Sequence, residues 1–120
     1  MRVAGIGFRG AATLASLKDA LLRAGGDADA LATADAKARA PVMQALAAEL
    51  GLSIRAIDRQ SLGAEVTLTQ SPKVTERFGT GSVAEAAALA AAGPGSALLA
   101  PRAISRDGLA TAAIAVRRDE

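Results

Sequence analysis

Two glycine-rich stretches carry most of the chemistry this sequence could perform. Residues 79–82, Gly-Thr-Gly-Ser, run directly into VAEAAALAAAG, which reads as helix and nothing else. The first amides of a helix lack intrahelical partners, and the macrodipole places partial positive charge there. Glycines at that point let a ligand reach the backbone. Thr80, Gly81 and Ser82 are therefore candidate anion ligands. The same residues also make a sound helix start, because Ser82 and Glu85 have the spacing of an S-x-x-E capping box. Residues 5–10, GIGFRG, pose the same choice. Gly5, Gly7 and Gly10 have the G-x-G-x-x-G spacing of a dinucleotide loop, with Asp35 near the acidic position such a loop needs. Arg9 inside that turn favours another anion, and no Walker A pattern occurs.

The absent residue types narrow the field. The 120 residues include no cysteine and no histidine. Disulfides, thiolate nucleophiles, imidazole bases and the usual transition-metal sites are thereby excluded, and neither a metal nor a cofactor is expected. Any catalysis falls to Lys, Asp, Glu, Ser, Thr or backbone amides. A formal charge of +2, with no Trp or Tyr, does not suggest a nucleic-acid partner. The position of the bases matters more. Arg9, Lys37, Arg39, Lys73, Arg102 and Arg106 lie in or beside expected loops. They are either solvated loop charge or the seat of a polyanionic small molecule. No segment approaches the roughly 18–20 apolar residues of a membrane span, and glycine comes too early in MRVAGIGFRG for a signal peptide. A cytoplasmic protein without a membrane partner is expected.

The elements that hold these residues follow from periodicity. Strands are expected at 2–7, 30–34 and 53–57, and helices at 12–24 and 41–50, the second opened by Pro41. Asp58 caps a short turn of helix through Leu62. AEVTLTQ (64–70) reads as either strand or irregular chain, and SPKVTERF (71–78) as a surface loop. Helix 82–92 is broken by Gly93-Pro94-Gly95. Residues 96–100 and 109–116 read as two strands around a polar loop, a return short enough to require antiparallel pairing. The expectation is a single domain over 1–120. It is a three-layer α/β/α architecture with a mixed, mostly parallel sheet of about five strands and a C-terminal antiparallel hairpin. Ligands of such sheets sit at the carboxyl ends of the strands, so Gly7, Arg9, Lys37, the 79–82 loop and Arg102 are expected to share one cleft.

Taken in order, VAGIGFRG (3–10), LATADAKARAP (31–41), LAAELGLSI (46–54), GTGSVAEAAALAAAG (79–93) and LLAPRAISRDGLATAAIAV (98–116) resemble the CobE / CbiG C-terminal domain family of cobalamin biosynthesis. The resemblance implies an α/β fold and a carboxylate-bearing precorrin or corrin intermediate as ligand. It also implies other enzymes of corrin-ring synthesis as partners. Substrate-binding residues consistent with it are Gly7, Arg9, Lys37, Thr80, Gly81, Ser82 and Arg102. An accessory or carrier role in the aerobic pathway is the leading expectation. Two alternatives stand beside it. One is hydrolysis of the ring-A lactone of a (cobalt-)precorrin-5 with release of acetaldehyde, in which Lys37 or Glu85 would assist water. The other is a nucleotide-binding module using GIGFRG.

Overall fold

In a computed structural model, which describes residues 1–117, the chain forms one six-stranded sheet covered by helices on both faces. The strands are β1 (Arg2–Phe8), β2 (Ala30–Ala34), β3 (Ile54–Ile57), β4 (Ala97–Leu98), β5 (Ala103–Ile104) and β6 (Ala110–Val116). Their order is β3-β2-β1-β6-β4, with β5 also on β6. The β1–β2 and β2–β3 pairs are parallel, and β6 is antiparallel to β1, β4 and β5. Five strands thus share a direction and β6 alone opposes them.

Alternation along β1 feeds two cores. Ala4 and Ile6 pack with Leu17, Ala20 and Leu21 of α1 (Leu14–Ala24) and with Met43 and Leu46 of α2 (Pro41–Leu50). Val3 faces the other way, toward Leu62 of α3 (Arg59–Ala64) and Ala86, Ala87, Ala88 and Ala92 of α5 (Val83–Ala92). On that side α5 lies almost on the backbone of β1. A Cβ built on Gly5 would sit 1.9 Å from the Ala84 carbonyl oxygen and 2.7 Å from the Ala88 nitrogen. Gly5 and the alanines of α5 are therefore one contact surface. This corrects the dinucleotide reading of GIGFRG, because helix backbone fills the space above Gly5. The start of α1 is likewise occupied: the Ser16 N–H donates to Thr13 Oγ1 at 3.2 Å, and the Thr13 N–H donates to Ser16 Oγ at 3.1 Å.

Two elements differ from expectation. SPKVTERF is helical rather than a loop: α4 (Pro72–Phe78) starts on the Ser71 cap and stops at Gly79, whose φ is +73°. Its proline occupies the first turn, where a missing N–H costs nothing. The segment before it, 65–70, is irregular. The expected strand at 96–100 shortens to β4, and a second short strand, β5, forms within the expected loop; both pair with β6. Between them, Pro101 has no N–H to give, and the Arg102 N–H donates to Glu85 Oε2 at 2.9 Å instead of to a neighbouring strand.

Candidate functional site

The register of β1 with β6 sets Gly7 opposite Thr111 and Phe8 opposite Ala110. The carboxyl end of β1 and the start of β6 thus form a common floor. Gly7 keeps that floor low, since a Cβ there would meet Thr111 Oγ1 at 2.7 Å. A cleft of about 450 Å3 opens over it. Lys37 enters from the 3-10 turn Asp35–Lys37 that follows β2. Lys73, Val74, Arg77 and Phe78 of α4 form one wall, and Arg9, Arg102, Ile104 and Leu109 complete the rim.

The lining is chemically one-sided. Among the described residues it contains five cations, Arg9, Lys37, Lys73, Arg77 and Arg102, and no carboxylate. Among the described residues the ion pairs join Lys18 to Glu49 and Arg23 to Asp19, so none of these five is neutralised by an acid. The whole chain has a formal charge of only +2, so this density is local. The only two aromatic rings in the sequence are also here. Lys37 Nζ lies 4.9 Å from the centre of the Phe8 ring, and the Arg77 guanidinium 5.8 Å from that of Phe78. Ring faces attract cations at such distances. Partial burial, and then the nearby Arg77 charge, pull the Lys37 pKa below its ordinary value.

Four of the residues singled out in the sequence, Gly7, Arg9, Lys37 and Arg102, come together at this cleft. Thr80, Gly81 and Ser82 are not among its lining residues, and all three are buried. The 67–71 segment lies over them. A Cβ on Gly81 would be 2.4 Å from the Thr69 carbonyl oxygen, and the Ser71 N–H donates to the Gly81 oxygen at 2.9 Å. The room an anion would need at this loop is taken by the chain's own backbone. Ser82 caps α5 by accepting the Glu85 N–H at 3.3 Å, whereas the Thr80 hydroxyl has no partner among the described residues. The expected capping box forms only in half, because the Glu85 carboxylate turns away from the cap to Leu68, Thr69 and Arg102. Buried and saturated with donors, Glu85 is not placed to assist water in the cleft.

Arg106 and Arg39 also lie outside the cleft lining. The Arg106 N–H instead donates to Asp19 Oδ2 of α1 at 2.7 Å. The α4 wall is what sequence reasoning missed. The signal for it was present: a Ser-Pro start, a glycine stop, and two i, i+4 pairs, Lys73 with Arg77 and Val74 with Phe78, on neighbouring stripes of one helix.

Comparison with known proteins agrees with this architecture. The family model described as Cobalamin synthesis G C-terminus matches residues 2–115. The crystal structure of CobE, a protein from the cobalamin (vitamin B12) biosynthetic pathway, superposes with a TM-score of 0.84 at 31% identity, covering 100% of this chain and 92% of that one. The cobalamin biosynthesis protein chiG from Agrobacterium tumefaciens gives a TM-score of 0.74 at 37% identity, covering 99% of this chain and 100% of its own. No curated protein matches the sequence. With the family model spanning nearly its full length, the chain belongs to the CobE/CbiG C-terminal family of cobalamin biosynthesis proteins.

Proposed function

We propose that this protein binds a polycarboxylate precorrin or corrin intermediate at the cationic cleft, as an accessory or carrier protein of the aerobic cobalamin pathway. The observation that carries the reading is the gathering of five cations and both aromatic rings, with no acid among the described residues, around one opening. A precorrin carries acetate and propionate groups around a broad apolar ring. Carboxylates at one edge of the macrocycle would meet Arg9, Arg102, Lys37 and Arg77, while Phe8, Phe78, Ile104 and Leu109 offer it apolar surface. Charge-assisted hydrogen bonds of this kind contribute about 1.5–3 kcal/mol each. Transfer of an unstable intermediate to other corrin-ring enzymes fits an open cleft better than an enclosed one. Titration of the cobalt-free corrin hydrogenobyrinic acid should show Arg9→Ala and Lys37→Ala each weakening binding about tenfold, one charge-assisted contact apiece. Affinities equal to wild type would refute the assignment.

A second reading, lactone hydrolysis, is favoured by Lys37 alone. Its burial and its proximity to Arg77 make a neutral amine more accessible than in an ordinary lysine, as a general base requires. Incubation with a lactone-bearing precorrin separates the two: the carrier reading predicts no acetaldehyde, and its release, lost in Lys37→Ala, would establish the hydrolase.

A further inference from the structure

Glu85 is fully buried on the first turn of α5, and no cation pairs with it among the described residues. Its Oε1 accepts the Leu68 N–H at 2.6 Å and the Thr69 N–H at 2.9 Å. Its Oε2 accepts the Arg102 N–H at 2.9 Å and the Thr69 hydroxyl. Burying an ionised carboxylate without a counter-charge is costly unless its oxygens are satisfied by donors. Here the donors come from two segments far apart in sequence, and both lead to the cleft. Residues 68–69 are followed by the Ser71 cap and by α4 with Lys73 and Arg77; Arg102 lines the cleft itself.

We propose that Glu85 is a positioning residue for the anion cleft, fixing Arg102 and the Lys73–Arg77 wall by holding their backbones to the start of α5. The inference rests on the polyanion reading above. It accounts for the break between β4 and β5: the Arg102 N–H serves Glu85 rather than the strand ladder, and the chain turns there at the rim of the cleft. It also keeps this acid from pairing directly with the cations of the cleft. The groups that reach its carboxylate are backbone N–H donors and one hydroxyl, and none of the five cationic side chains is among them.

Glu85→Gln separates the two arms of this clamp. The amide oxygen can replace Oε1 and keep Leu68 and Thr69. The amide NH2 must then face the Arg102 N–H, donor against donor, while the Thr69 hydroxyl can rotate to accept. In wild type, hydrogen exchange at the Leu68, Thr69 and Arg102 amides should be slow, although all three lie outside helix and strand. Rapid exchange there would overturn the clamp without recourse to any variant. In Glu85→Gln the Arg102 amide should exchange faster while Leu68 stays protected. Hydrogenobyrinic acid should bind this variant about tenfold more weakly, close to Arg102→Ala, and the double variant should bind no more weakly than Arg102→Ala. Additive losses, or wild-type affinity in Glu85→Gln, would overturn the positioning role alone. Failure of wild type to bind at all would overturn the ligand reading first, and this role with it.

Discussion

Gly5→Ala is expected to abolish cooperative folding or to lower Tm by about 15 °C or more, a loss on the order of 4–5 kcal/mol. The new methyl carbon would overlap the Ala84 carbonyl oxygen, 1.9 Å away, and crowd the Ala88 nitrogen. Both are backbone atoms of a helix, so no side chain can rotate aside. α5 would have to lift from β1, separating Val3 and Ala32 from Ala86, Ala87 and Ala88. Since whole domains are stable by roughly 5–15 kcal/mol, such a loss is a large share of the total. Gly10→Ala is the control within the same motif. A Cβ at that position would have no atom within 4 Å, and the Gly10 φ is not positive, so the change should be neutral or stabilising by about 0.4–1 kcal/mol. Thermal melts of the two variants decide the matter: equal damage at both positions would refute close helix–strand contact as the reason for Gly5.

That contrast shows how much of the fold the sequence discloses. Pro41, Gly25 and Gly51 bound α1 and α2 by local rules that act in isolation, and both helices lie where those rules put them. The paired glycines of β1 obey no such local rule. Gly5 answers to the backbone of α5, nearly eighty residues later, and Gly7 to Thr111 of β6, so a spacing that resembles a phosphate loop arises from contacts with distant segments. α4 was hidden for a different reason. Its proline and charges are loop signals when counted, and helix signals only when their positions relative to Ser71 and Gly79 are weighed. The division of the outer strand into β4 and β5 was not readable at all, because it depends on Glu85 taking the Arg102 N–H from another segment.

The site divides similarly. Arg9, Lys37 and Arg102 were legible because loops at the carboxyl ends of parallel strands converge by topology, and Gly7 because it ends β1. The 79–82 loop drew attention for real features, a glycine-flanked helix start with hydroxyls. The irregular 67–71 segment covers it, and irregular chain has no period by which its path can be inferred. Glu85 had the spacing of a capping partner, yet four better-placed donors elsewhere outcompete the single amide of the Ser82 cap. Local motifs therefore located the cationic rim but not its supports.

Reversing one charge inside the cleft should have the largest effect on ligand. Lys37→Glu is expected to weaken hydrogenobyrinic acid binding at least a hundredfold, against about tenfold for Lys37→Ala, because it removes one attraction and adds a repulsion among desolvated groups. The difference should shrink as salt is raised, since exposed Arg9, Lys73 and Arg77 share the field and screening reaches them first. The pH dependence separates this residue from its neighbours. Burial, with Arg77 second, lowers the Lys37 pKa from 10.5 in the folded protein. Between that lowered value and 10.5 the unfolded chain binds more protons than the folded one, so this lysine makes stability rise with pH. A bound carboxylate acts in the opposite sense: it favours the ammonium form, so binding takes up a proton in that window and affinity falls as pH rises. Calorimetry in buffers of different ionisation enthalpy, with melts over the same pH range, should show the two slopes with opposite signs in wild type and neither in Lys37→Met. Affinity that stayed level until the ordinary lysine range would mean that the amine does not meet the ligand, and the cleft would lose one of its two half-buried cations as a contact.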